Sequence, residues 1–119
     1  MASPQKFTIL AIVVVLPSVV LATEFIVGDE QGWTTNFDYS KWTTGKTFRV
    51  GDSLVFNYSK DNHNVFKVNG VQFKACQVPP ANVNNSLTTG HDVVPLKTAG
   101  NKWYICGAAG HCNLVSPKL

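Results

Sequence analysis

Charge is scarce in this chain: ten lysines and arginines and seven acids among 119 residues. The basic residues are scattered and form no run, so the electrostatic footprint of a nucleic-acid binder is missing. Apart from Met1 there is no methionine, hence no internal thioether. Paired C-x-x-C spacing is absent, and with it the usual closed zinc site. Helical periodicity is thin, repeats and low-complexity tails are lacking, and no acid–base constellation of an enzyme stands out. Only one long apolar run occurs, Phe7 to Leu21, and no second one follows to hold the chain in a bilayer.

That run has the layout of a secretory leader. Lys6 and the amino terminus supply a positive start, and Val20-Leu21-Ala22 is a small-residue cleavage site. The run is about 15 residues long and contains Pro17, whereas a spanning helix needs roughly 20. Residues 1–22 read as a signal peptide and 23–119 as one small domain of about 97 residues. Losing Lys6 takes the formal charge from +3 to about +2, a mildly basic secreted chain. Two glycosylation sequons fit this route, Asn57-Tyr58-Ser59 and Asn84-Asn85-Ser86, with Asn84 in a polar loop and Asn57 inside an expected strand.

The mature chain reads as short strands broken by turns. Expected strands are Glu24–Val27, Lys46–Val50, Ser53–Tyr58, Val65–Val68, Val71–Lys74, Val93–Lys97 and Lys102–Cys106. Asn69-Gly70 reads as a hairpin turn between two of them. A short helix is expected near Phe37–Trp42, and Pro79 to Gly90 as loop. Strands this short and this evenly spaced predict an all-β antiparallel sandwich or barrel. Trp33, Trp42 and Trp103 are expected in or near the core.

Chemistry concentrates in three cysteines and three histidines. Cys106 and His111 are separated by Gly107-Ala108-Ala109-Gly110, a spacer small enough to turn both side chains toward one point. His63 precedes an expected strand whose end a sandwich can bring beside that loop. Two imidazoles and one thiolate form the trigonal set of blue-copper electron-transfer sites. The thiolate and imidazoles serve both copper oxidation states, and a rigid sandwich limits rearrangement between them. His91, between Gly90 and Asp92, reads as a surface or packing residue. An odd cysteine count predicts one disulfide and one cysteine left for chemistry. Cys76 with Cys112 closes a ring of about 36 residues, stabilising by about 3–4 kcal/mol in the chain-entropy model. Cys76 with Cys106 remains open from spacing alone.

Val27-Gly28-Asp29, Gly32-Trp33-Thr34, Asp38-Tyr39-Ser40-Lys41-Trp42, Gly45-Lys46-Thr47-Phe48 and the run from Val50 to Tyr58 carry a resemblance. So do His63-Asn64-Val65, Cys76, Tyr104-Ile105-Cys106-Gly107 and Gly110-His111-Cys112. Together they resemble the phytocyanins, plant blue copper proteins of the cupredoxin fold, from about Glu24 to Cys112. The resemblance implies a Greek-key sandwich of two sheets, one copper held by His63, Cys106 and His111, and a Cys76–Cys112 disulfide. It implies a secreted electron carrier without enzymatic turnover, whose redox partner, a protein or a small molecule, is unknown.

The chain departs from the family pattern at its end. Where an axial methionine or glutamine is expected stand Ser116 and Pro117, both poor copper ligands, and the last strand is expected to be missing. Two further readings follow. One is a non-redox extracellular interaction protein with a degraded copper site. The other is a truncated gene product.

Overall fold

The computed structural model describes residues 21–80, 86–108 and 110–112. Residues 1–20 of the expected leader, the sequon asparagine Asn84, the axial candidates Ser116 and Pro117 and the expected absence of a last strand lie outside the described residues. No helix among those described is long and apolar enough to cross a membrane.

Two three-stranded sheets build the expected sandwich. The first has the order β1 (Glu24–Ile26), β2 (Ser53–Asn57), β5 (His91–Pro95). β1 runs parallel to β2, and β5 antiparallel to it. The second has the order β4 (Ser86–Leu87), β3 (Val65–Val68), β6 (Trp103–Ile105), both pairs antiparallel. Two short α-helices, α1 (Tyr39–Thr43) and α2 (Gly70–Ala75), and a 3-10 turn over Asp29–Gln31 complete the order.

Alternation decides which side chains meet. Leu54 and Phe56 of β2, Val65 of β3 and Tyr104 of β6 point into the space between the sheets. There they pack with Val27, Trp33, Tyr39, Trp42 and Leu96. Trp33 lies edge-on to Phe56 at 5.1 Å between ring centroids, an arrangement that aromatic quadrupoles favour. The other face of the second sheet has its own core. Phe66, Val68 and Ile105 are buried there with Cys112, and Phe73, Trp103 and Cys76 pack against them. Trp33 and Trp42 are therefore buried core and Trp103 is near-core, as expected.

Asp52 fixes the start of β2. Its carboxylate accepts from the Thr23 and Arg49 amides at 2.9 and 2.8 Å. Those hydrogen bonds hold its acid below the ordinary carboxylate range. Asp38 caps α1 by accepting from the Ser40 amide at 3.0 Å.

Four expectations fail. Val71–Lys74 is not a strand but lies in α2. Asn69 does not form a hairpin turn but is the N-cap. Its side chain accepts from the Gln72 amide at 2.8 Å, while the Gln72 side chain accepts from the Asn69 amide at 3.0 Å. This reciprocal capping box starts a helix where a turn pair alone suggested a hairpin. Lys46–Val50 alternates but forms no ladder among the described residues. Within the expected loop Pro79–Gly90, Ser86–Leu87 pairs with Val65 and Phe66 as β4.

Candidate metal centre

Three side chains from distant parts of the sequence converge at one end of the sandwich. Cys106 directly follows β6, whose pairing to β3 sets its position. His63 ends a tight turn in which its amide and that of Asn62 both donate to the Ser59 carbonyl at 3.0 Å, two residues before β3. His111 is presented by a turn closed by its amide on the Ala108 carbonyl at 3.1 Å, with Gly110 at φ +77°.

Cys106 Sγ lies 3.7 Å from His63 Nδ1 and 3.7 Å from His111 Nδ1. The ligand atoms of the three residues all fall within 4.8 Å of one another. The two imidazole centroids stand 4.9 Å apart at 46°. Cys106 is fully buried, and both histidines are half-buried. Burial first, then the neighbouring His111 imidazole, holds His63 below its ordinary value. Its neutral form, the one that ligates metal, is favoured.

The spacing tests whether a metal fits. Bonds of about 2.3 Å to sulfur and about 2.0 Å to nitrogen at a trigonal angle put the two donors about 3.7 Å apart. A tetrahedral angle would put them nearer, at about 3.5 Å. Both sulfur–nitrogen spacings are ones that a single metal ion can bridge. A soft sulfur with two imidazoles in that arrangement suits copper.

One residue of the site was not legible beforehand. Asn64 Oδ1 accepts from the Gly107 amide at 2.6 Å and so ties the residue after His63 to the residue after Cys106. The Asn64 carbonyl accepts from buried Trp33 Nε1 at 2.9 Å. Gly107 is required for closeness: a Cβ there would sit 2.4 Å from the Phe66 ring and 3.1 Å from Val78. The remaining cysteines are joined, Cys76 to Cys112, with Cα atoms 5.6 Å apart. Cys106 is the free cysteine. His91 stands away from the cluster, exposed on β5, its Nδ1 against Asn57 Oδ1. Asn57 itself is half-buried at the end of β2, and its carbonyl accepts from the Trp33 amide at 2.7 Å.

Comparison with known proteins agrees with this geometry. Residues 33–115 match the family model of the plastocyanin-like domain. Blue copper protein 1a of Medicago truncatula is 54% identical over 120 residues, covering 100% of this chain and 73% of that protein. Stellacyanin of Toxicodendron vernicifluum is 43% identical over 99 residues, covering 77% of this chain and 89% of that protein. Among solved structures, cucumber stellacyanin superposes with a TM-score of 0.73 at 36% identity, covering 82% of this chain and 91% of that one. Cucumber basic protein, a blue copper protein, gives 0.68 at 39% identity, with 77% and 91% covered. The chain belongs to the plastocyanin-like domain family, and within it to the phytocyanins, with their cupredoxin fold.

Proposed function

We propose that this protein is a secreted carrier of single electrons. It binds one copper ion through His63 Nδ1, Cys106 Sγ and His111 Nδ1. The observation that carries the reading is the buried Cys106 sulfur at 3.7 Å from each of two imidazole nitrogens. Bound copper supplies one-electron chemistry between its two common oxidation states. The chain's own residues do the rest. Burial of Cys106 keeps water from the thiolate. Asn64, itself fixed by Trp33, holds the Cys106 and His63 loops in register. The Cys76–Cys112 disulfide anchors the loop that presents His111. A donor set held by the fold before metal arrives moves little between oxidation states, which suits electron transfer.

Secretion rests on the leader at residues 1–22, and with it go glycans on Asn84 and Asn57. The partner is an extracellular redox protein or small molecule. The blue copper relatives and the lack of an acid–base constellation favour electron carriage over catalysis.

Adding Cu(II) to the purified protein should produce intense visible absorption from thiolate-to-copper charge transfer, at one copper per chain. Cys106→Ser should abolish the colour and leave the far-ultraviolet circular dichroism unchanged. A protein that stays colourless and takes up no copper would leave the non-redox reading. A colourless protein that retains zinc would identify a zinc site instead.

A further inference from the structure

The outer face of the first sheet carries an apolar row of its own. Leu54 and Phe56 of β2 point inward, so Ser53, Val55 and Asn57 point outward. Pairing sets Ile26 of β1 and Val93 of β5 on either side of Val55. Val55 is buried, while Ile26 is 47% and Val93 48% exposed. Asn57 is the next outward residue on β2, and it heads the sequon Asn57-Tyr58-Ser59. Its backbone is fixed by the ladder to His91 and by the Trp33 amide on its carbonyl at 2.7 Å. His91 Nδ1 stands against its Oδ1. Nδ2, the atom to which a glycan is joined, has no hydrogen-bond partner among the described residues and is not buried. Attachment there leaves the His91 contact in place.

Asn57 also lines an open groove of about 590 Å³ with Ile26, Asp29, Glu30, Gln31 and Tyr58. Ile26 belongs to both the groove and the row, so the two form one continuous surface. A pyranose ring suits that surface. Its C–H face packs on aliphatic side chains, and its hydroxyls and acetamide donate to carboxylate and amide oxygens. A second copy of the chain suits it less, because a symmetric dimer through this face would gather Glu24, Asp29 and Glu30 of both copies at one interface. We propose that a glycan on Asn57 folds back over this face. Its first N-acetylglucosamine sits in the groove against Ile26, with its polar groups on Asp29, Glu30 and Gln31. The rigid attachment point lowers the cost of ordering that sugar. This inference rests on the secretory reading of residues 1–22 and not on the metal reading.

The full chain, secreted from yeast, should carry a glycan on Asn57 by peptide mass spectrometry. Peptide N-glycosidase must reach the bond between Asn57 and the first sugar. It should release this glycan from the native protein at least tenfold more slowly than from two variants, Ile26→Ser and Asp29→Ala/Glu30→Ala/Gln31→Ala. Both variants should be folded by circular dichroism, and the rates should become equal once all three proteins are heat-denatured. In methyl nuclear magnetic resonance spectra, the Ile26 and Val55 signals should shift relative to the Ser59→Ala protein, which keeps Asn57 but loses the sequon. The signals of buried Leu96 should stay in place. A secreted protein with Asn57 bare would overturn the proposal, together with the reading of Asn57 as a glycan site. Equal release from the native parent and variants, or unmoved Ile26 and Val55 signals, would overturn the proposal alone, leaving a glycan that extends into solvent. A concentration-dependent dimer of the glycosylated protein that shifts the same methyl signals would assign the face to a second copy and overturn it too.

Discussion

All three tyrosines of the chain are tied into its interior, each differently. The Tyr39 hydroxyl donates to the Gly32 carbonyl at 2.6 Å and accepts from the Thr34 amide at 2.9 Å. Tyr58 donates across to buried Asp92. Tyr104 is buried between the sheets. Burial pushes Tyr39 up to about 12. Burial, and then the hydrogen bond to Asp92, does the same for Tyr58, to about 12. Tyr104 is raised by burial. In the unfolded chain these phenols ionise near 10. From about pH 10 upward the unfolded state therefore holds fewer protons than the folded one, and stability falls as pH rises toward about 12. Spectrophotometric titration of the purified protein should show almost no tyrosinate near pH 10. Tyrosinate should then appear together with the loss of circular dichroism. Ionisation near pH 10 with the fold intact would show that the hydroxyls are not held as described.

At the scale of elements, α2 is the informative case. Its first residue, Gly70, packs against the Trp103 ring, so close that a Cβ would sit 3.2 Å from it. Its end leads into Cys76 and the disulfide. The reciprocal Asn69–Gln72 cap is what starts so short a helix. Asn69→Ala should cost about 1 kcal/mol in urea unfolding, with Asn69→Asp close to neutral. No change for the alanine variant would mean that packing on Trp103 alone positions α2. The spacing Asn69-x-x-Gln72 was present in the sequence, but Asn-Gly also fits a hairpin, and only the helix's place on the second core decides between them. β2 and β3 were legible because their apolar alternation matches a half-buried strand. Residues 46–50 alternate equally well, yet a strand needs a hydrogen-bonded neighbour, and pairing is not a local property. β4 is the converse: two residues with little pattern, made a strand by Val65 and Phe66. The Cys106, His63 and His111 cluster could be read because few other residues offer soft or imidazole donors. Asn64 could not be, since its role depends on Trp33, which lies 31 positions away in the chain.

For the whole molecule, the disulfide joins two tasks. Cys112 is buried in the outer core of the second sheet, and its neighbour His111 is one of the three clustered donors. Cys76 lies 36 residues earlier, at the end of α2. The bond therefore constrains the unfolded chain and, in the folded one, pins the loop that carries His111. Replacing both cysteines by alanine should remove about 3–4 kcal/mol from the metal-free protein. In a domain of this size the melting temperature should fall on the order of 10–30 °C. Copper bound to the native state adds stability by mass action, about 2.7 kcal/mol at a hundredfold excess over Kd. If the pinned loop is part of the site, removing the pin makes binding supply the order that the disulfide supplied before. The copper-induced rise in melting temperature should then be smaller in the double variant than in the parent at equal free copper. Its copper affinity should fall correspondingly. Equal rises in both proteins would separate the staple from the site, leaving the disulfide a purely structural crosslink beside a donor set that the sandwich alone holds in place.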